Sequence, residues 1–237
     1  MLYLIGTGIS MDLTLEGLSA LKKCEEVYLE VYTNPALKEK ISEIEKKINK
    51  KVNIIERKEV ESDFLIRKAK EKDVTLLSSG DPLTATTHVA LILDARKSNV
   101  EVKVIHNSSI YTVGPGKTGL QIYRFGRTAT LVNPRPNYKP TSSLDVIRTN
   151  RSMNMHTLVL LDTEPQPMDT KTALQMLSEF EEAIVLSRLG EKDEKITYGK
   201  IEDLKKEDLG KPPFSIIIPA KLHPIEEECL KAFSFKQ

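Results

Sequence analysis

Ser79-Gly80-Asp81-Pro82-Leu83 combines residue types suited to holding a small ligand. A glycine lets a ligand approach the backbone, a proline fixes the turn, and Asp81 can accept hydrogen bonds from a ribose or an ammonium group. The same aspartate would serve equally as an N-terminal helix cap, and the residues alone leave both readings open. Gly6-Thr7-Gly8-Ile9-Ser10-Met11 begins like the dinucleotide fingerprint GxGxxG, with Met11 where the third glycine belongs. The acidic residues that could follow it, Glu25, Glu26 and Glu30, start the next strand instead of ending it, which argues against a classical NAD site. Gly116-Lys117-Thr118 has the last residues of a P-loop, but the required earlier glycine is Tyr111, so the segment is expected to be a flexible inter-domain connection.

Other chemistries find little support. His88, His106, His156 and His223 have neither HExxH nor paired metal spacing, and no metal is expected. No Gly-x-Ser-x-Gly elbow marks a nucleophile. Cys24 and Cys229 stand far apart without CxxC spacing, which suggests neither a disulfide framework nor a zinc site and fits a reducing cytoplasm. His106 and His156 flank strands, where such residues more often brace loops than bind ligands.

Short apolar runs bounded by turn residues alternate with charged segments of helical period, the pattern of strands and helices taking turns. LYLIGTG, EEVYLEVY, VNIIE, VTLLSSG and EVKVIHN form a βαβ series, with Asp12 or Thr14 as a cap and helices beginning near Glu61 and Thr84. After SIYTVGPGKTGL, expected to be a helix and a crossover, a second series runs through TATLVN, HTLVLLD, AIVLSRLG, KITYG and FSIIIPA to a helix from Pro224. The expectation is two α/β domains, residues 1–115 with a mostly parallel sheet and residues 116–237 with a mixed one. No apolar run approaches membrane-helix length, and the first residues lack a basic n-region and cleavage site, so the chain is expected to stay in the cytoplasm. Thirty-five Lys and Arg against thirty-four Asp and Glu, net +1, argue against a nucleic-acid coat.

The balance is uneven along the chain. Residues 102–161 carry Lys103, Lys117, Arg124, Arg127, Arg135, Lys139, Arg148 and Arg151 against Asp145 alone, and the segments on either side are net acidic. A basic centre could steer an acidic protein surface or hold a carboxylate; it could equally be a solvated surface offset by acidic neighbours.

LYLIGTGI, SSGDPLTATTH, VIHNSSI, TGLQIYRFGRTAT, HTLVLLD and IIIPAKLHPIEEECL, in this order, closely resemble the diphthine synthase family within the tetrapyrrole methylase-like fold group. The resemblance implies a homodimer of two-domain subunits that binds S-adenosylmethionine in the cleft between the domains and releases S-adenosylhomocysteine. It implies as substrate translation elongation factor 2, carrying a 3-amino-3-carboxypropyl group on one histidine whose amino group is methylated repeatedly. Carried over by position, the cofactor contacts would be Ile9, Asp81, Thr84, Ser109, Ile110, Leu161, Tyr198 and His223. Thr84 and Tyr198 depart from the small or aliphatic residues of the pattern, and GPGKTG is one residue longer than the usual GxTG turn. A methyltransferase of the same fold group acting on a precorrin or ribosomal RNA, and a non-catalytic cofactor-binding module, are the competing readings.

Overall fold

The computed structural model describes residues 1–135 and 140–234. The chain divides into two compact units, Met1–Ile110 and Tyr111–Gln237.

The first unit is built on β1 (Leu2–Gly6), β2 (Glu26–Glu30), β3 (Val52–Ile55), β4 (Val74–Ser78) and β5 (Val102–Ile105), in the order β3-β2-β4-β1-β5. All the pairings are parallel. Helices α1 (Leu15–Lys23), α2 (Ile41–Ile48), α3 (Arg57–Val60), α4 (Phe64–Glu71) and α5 (His88–Lys97) connect the strands, and α6 (Ile110–Thr118) leads into the second unit. Strands covered on both faces favour apolar residues, which is why β1 and β4 read as largely hydrophobic; the buried Thr75 and Ser78 of β4 donate to Cys24 Sγ and Glu30. Leu2, Leu4, Leu65, Leu76 and Leu91 fill one side of the sheet, and Ile5, Leu21, Leu29, Ile44 and Leu77 fill the other. Each such side chain contributes roughly 1.5–3 kcal/mol by leaving water.

Local signals explain the helix ends. Thr14 caps α1 by accepting the Gly17 N–H at 3.0 Å. At its other end the Lys50 ammonium reaches the carbonyls of Leu21 and Lys22, at 3.4 and 2.6 Å, placing a cation where the helix dipole is negative. The helix expected near Thr84 begins at His88, and the one expected near Glu61 at Phe64. The segment expected to be a flexible connection is helical: α6 runs through Gly114, Pro115 and Gly116, and the Thr118 hydroxyl closes its last turn on the Gly114 carbonyl at 3.0 Å.

The second unit holds β6 (Ala129–Leu131), β7 (Thr157–Leu161), β8 (Glu182–Ser187), β9 (Lys195–Lys200) and β10 (Phe214–Ile218), ordered β6-β7-β10-β8-β9. Only β6 and β7 pair in parallel, so the sheet is mixed, as its closely spaced runs indicate. Helices α7 (Ser142–Ser152), α8 (Thr170–Met176), α9 (Ile201–Leu204) and α10 (Pro224–Lys231) accompany it. Leu131, Ile147, Val159, Leu174, Leu204 and Ile216 share one core. Among the described residues no helix is long and apolar enough to cross a membrane, and no His, Cys, Asp and Glu cluster could hold a metal ion.

Candidate functional site

The site grows from the order of strands in the first sheet. The helix after β1 packs with Ile5 and Leu21 on one face, and the helix after β4 packs with Leu76 and Leu91 on the other. The chain therefore leaves these adjacent strands in opposite directions, opening a crevice at their carboxyl ends where parallel sheets bind ligands.

Glycines bring the loops of that crevice together. Gly8 and Gly80 exchange two backbone hydrogen bonds, each 3.0 Å, with φ of +68° and +66°. Because Gly6 also lacks a side chain, the β4–α5 loop crosses the end of β1 and reaches the loop after β5. There Asp81 Oδ1 accepts the Leu83 N–H at 3.0 Å and the Thr84 hydroxyl at 3.2 Å. Its Oδ2 accepts His106 Nδ1–H at 2.7 Å and the Asn107 N–H at 3.2 Å. Burial alone would raise this carboxyl, but the Leu83 N–H, the His106 ring and the Asn107 N–H outweigh it and hold the group below its ordinary value.

Asp81 is thus not the helix cap that its sequence position allows, since α5 starts seven residues later. A carboxylate offers about four lone-pair sites, and donors of the surrounding loops fill them. Asn107, which the sequence did not single out, completes the junction. Its side-chain amide donates to the carbonyls of Gly6 and Asp12 at 3.0 and 2.8 Å, and its oxygen accepts the Ser108 N–H at 2.8 Å. His88 braces the loop from below, with Nδ1 2.8 Å from the Pro82 carbonyl and Nε2 3.2 Å from the Tyr32 hydroxyl. Met11, in the third-glycine position, adopts φ +64° and turns its side chain into the core. Glu30 is buried and accepts from Ser78 Oγ and both donors of Thr33, so it is spent inside the fold.

The structure thus gathers part of the expected contact set on the first unit. Ile9 follows Gly8, Thr84 is tied to Asp81, and Ser109 and Ile110 open α6. Ile9, Thr84 and Ile110 are partly buried, and Ser109 is buried. Leu161, Tyr198 and His223 lie on the second unit. Leu161 ends β7 partly buried. The Tyr198 hydroxyl donates to Glu182 Oε2 at 2.8 Å, and burial together with that carboxylate pushes its ionisation up. His223 is exposed at the start of α10 and accepts the Ile225 N–H at 3.4 Å.

Nearby, Glu226 is fully buried, accepting the N–H groups of Gln121 and His223 and pairing with Arg124 and His156. Burial opposes its charge, yet the two backbone donors and His156 hold it below the usual carboxylate range. Asp162 accepts the N–H groups of Asn133 and Glu164, which is loop bracing. A cavity of about 810 Å³ in this unit is lined by Asn133, Arg135 and Asp169 among others and contains none of the expected cofactor contacts.

Most of the basic centre is neutralised. Lys103 pairs with Glu16, Lys117 with Glu194, Arg124 with Glu226, and Arg148 with Asp145 and Glu179. Arg151 lies over the Phe180 ring, 5.8 Å from its centroid. Lys139 falls outside the described residues. Arg127 and Arg135 are exposed.

A parallel sheet with a glycine-lined crevice, followed by a mixed-sheet unit, defines the class of the tetrapyrrole methylases, and residues 1–205 match the family described as Tetrapyrrole (Corrin/Porphyrin) Methylases. Diphthine synthase of Methanocaldococcus jannaschii is 40% identical over 252 residues, covering 98% of each chain. That of Methanococcus vannielii is 40% identical over 250 residues with the same coverage. A crystal structure of diphthine synthase superimposes with a TM-score of 0.89 at 37% identity, covering 98% of this chain and 95% of that one. The chain belongs to the diphthine synthase family. It is an S-adenosylmethionine-dependent methyltransferase of diphthamide biosynthesis.

The crevice suits that cofactor chemically. Residues 6–12, 80–87 and 106–110 include no Lys or Arg, as befits a nucleoside without phosphates and with a cationic sulfur. Lys40 reaches in from outside, and its ammonium donates to the Ser10 carbonyl at 3.0 Å. Gly80 leaves room: a Cβ there would meet the Ser108–Ser109 backbone only at 3.6 Å.

Proposed function

We infer that the chain methylates the amino group of a 3-amino-3-carboxypropyl-histidine in translation elongation factor 2, repeatedly, to give diphthine. It acts as a cytoplasmic homodimer. End-to-end similarity to diphthine synthases carries this reading. Bound S-adenosylmethionine supplies the methyl group. Ile9, Thr84, Ser109 and Ile110 hold the cofactor, Asp81 fixes the loops that present them, and Leu161, Tyr198 and His223 keep the contacts that the resemblance gives them. Positioning is the main contribution of these residues, because aligned reactants need little further help. Repeated transfer requires a methyl-facing wall of small or apolar groups, so that the mono- and dimethylated amines still fit.

The test is incubation with labelled S-adenosylmethionine and elongation factor 2 bearing the precursor, read by mass spectrometry. Three methyl groups are expected under excess cofactor. Arrest after one would remove repeated transfer, and cofactor binding without incorporation would point to a non-catalytic module.

A further inference from the structure

His106 differs from the other histidines in what its second nitrogen can do. His88 and His156 are buried with both ring nitrogens engaged. His223 accepts the Ile225 N–H at Nδ1, so its neutral ring carries a proton on Nε2 and can only donate there. His106 has the opposite polarity. A carboxylate only accepts, so the 2.7 Å contact with Asp81 puts a proton on Nδ1, and in the neutral ring the Nε2 lone pair is then available. The side chain of His106 is 67% exposed and that of Asp81 is 11% exposed. An imidazole oriented by a buried carboxylate, with its acceptor nitrogen open to solvent, is built to take up and shed protons.

The reaction has a use for such a group. On the substrate reading above, on which this inference rests, the nitrogen is an aliphatic amine on the carbon that also bears the carboxylate, and in water it is mostly cationic at neutral pH. Each transfer requires its lone pair and leaves it cationic again, so a proton must depart before every methyl arrives. We propose that His106 takes that proton. The N–H bond of the ammonium breaks, its electron pair stays on nitrogen, and the proton passes to Nε2 and then from the exposed ring to water. After the third transfer no N–H remains and the cycle ends. Asp81 is a positioning residue, acting through His106. It is the charged group in direct contact with the ring. On the β1–α1 loop the Asp12 carboxylate accepts the Ser10 hydroxyl, and its carbonyl accepts the Asn107 amide.

The test compares His106→Gln, His106→Ala and Asp81→Asn with the wild type, using the full chain and elongation factor 2 bearing the precursor. The His106 variants are expected to bind S-adenosylhomocysteine within about threefold of wild type and to lose about 100-fold or more in kcat at pH 7. The deficit should shrink as pH rises, and free imidazole should restore part of the activity of His106→Ala. Independently of activity, nitrogen-15 spectra of the wild type should show His106 as the Nδ1–H tautomer, and Asp81→Asn should lose that preference. An unchanged kcat, a deficit equal at every pH without imidazole rescue, loss of S-adenosylhomocysteine binding, or an Nε2–H tautomer in the wild type would each overturn the proposal. A wild type that incorporates no methyl overturns the substrate reading, and this proposal with it.

Discussion

Gly6 packs so closely under Gly80 that a Cβ on Gly6 would stand 2.4 Å from the Gly80 carbonyl oxygen and 2.9 Å from Pro82 Cδ. The carbonyl belongs to the loop that carries Asp81, so any side chain on Gly6 must lift that loop. Gly80 is different: an added Cβ meets nothing nearer than 3.6 Å, and only its φ of +66° opposes substitution. Gly80→Ala should therefore cost about 1–2 kcal/mol, the strain of a left-handed residue. Gly6→Ala should cost more and also weaken S-adenosylhomocysteine binding. Urea unfolding and calorimetric titration of both variants check this; equal losses would show that the close approach is not what matters.

In the second unit the weight falls on Glu226. Removing one partner of a buried ion pair leaves an uncompensated charge and costs about 3–5 kcal/mol. Glu226→Ala exposes that cost fully, because Arg124 is only 17% exposed and two backbone N–H groups also lose their acceptor. Arg148→Ala breaks an ion pair on the surface and should scarcely move the unfolding midpoint. A Glu226→Ala variant as stable as Arg148→Ala would contradict the buried network.

Asp81 should leave a signature in acid. Its folded carboxyl titrates below the ordinary 3.8, so above that pH both folded and unfolded chains carry the charge and its contribution to stability is fully present. As pH falls through the folded value the contribution is lost, because the unfolded chain binds the proton first. The stability difference between wild type and Asp81→Asn should shrink as pH falls below about 4. Denaturant midpoints measured across that range test the sign; a difference that grows in acid would contradict it.

The strands were legible because both sheets bury their central strands: every strand of the described residues overlaps an apolar run, and the mixed pairing of the second sheet follows from its short connections. Helix starts were less so. The β4–α5 loop uses Gly80 to Thr87 for side-chain and backbone bonds around Asp81, with Ala85 at φ +55°, and this delays α5 to His88. Arg57–Val60 and Ile201–Leu204 are too short to express a helical period. The contact of Asp81 with His106 was out of reach altogether. It joins loops from strands that are not neighbours, across a third strand ending in glycine, and only the sheet order reveals it. The two readings of the basic centre could not be separated within the segment, because its acidic partners Glu16, Glu179, Glu194 and Glu226 lie outside it.

Arg127 and Arg135 now carry what remains of the steering idea. Exposed cations that are not neutralised raise the encounter rate with an acidic surface, and the effect decays with a screening length of about 10 Å at 0.1 M salt. The double variant Arg127→Glu with Arg135→Glu should lower kcat/KM for the protein substrate several-fold at low ionic strength. It should converge on wild type at high salt, with kcat unmoved, since encounter and not chemistry is affected. Arg124→Glu belongs to a different experiment: it places a carboxylate against Glu226 and should unfold the second unit before it slows encounter. Equal kcat/KM for the double variant and wild type at low salt would mean that this surface plays no part in bringing the substrate in.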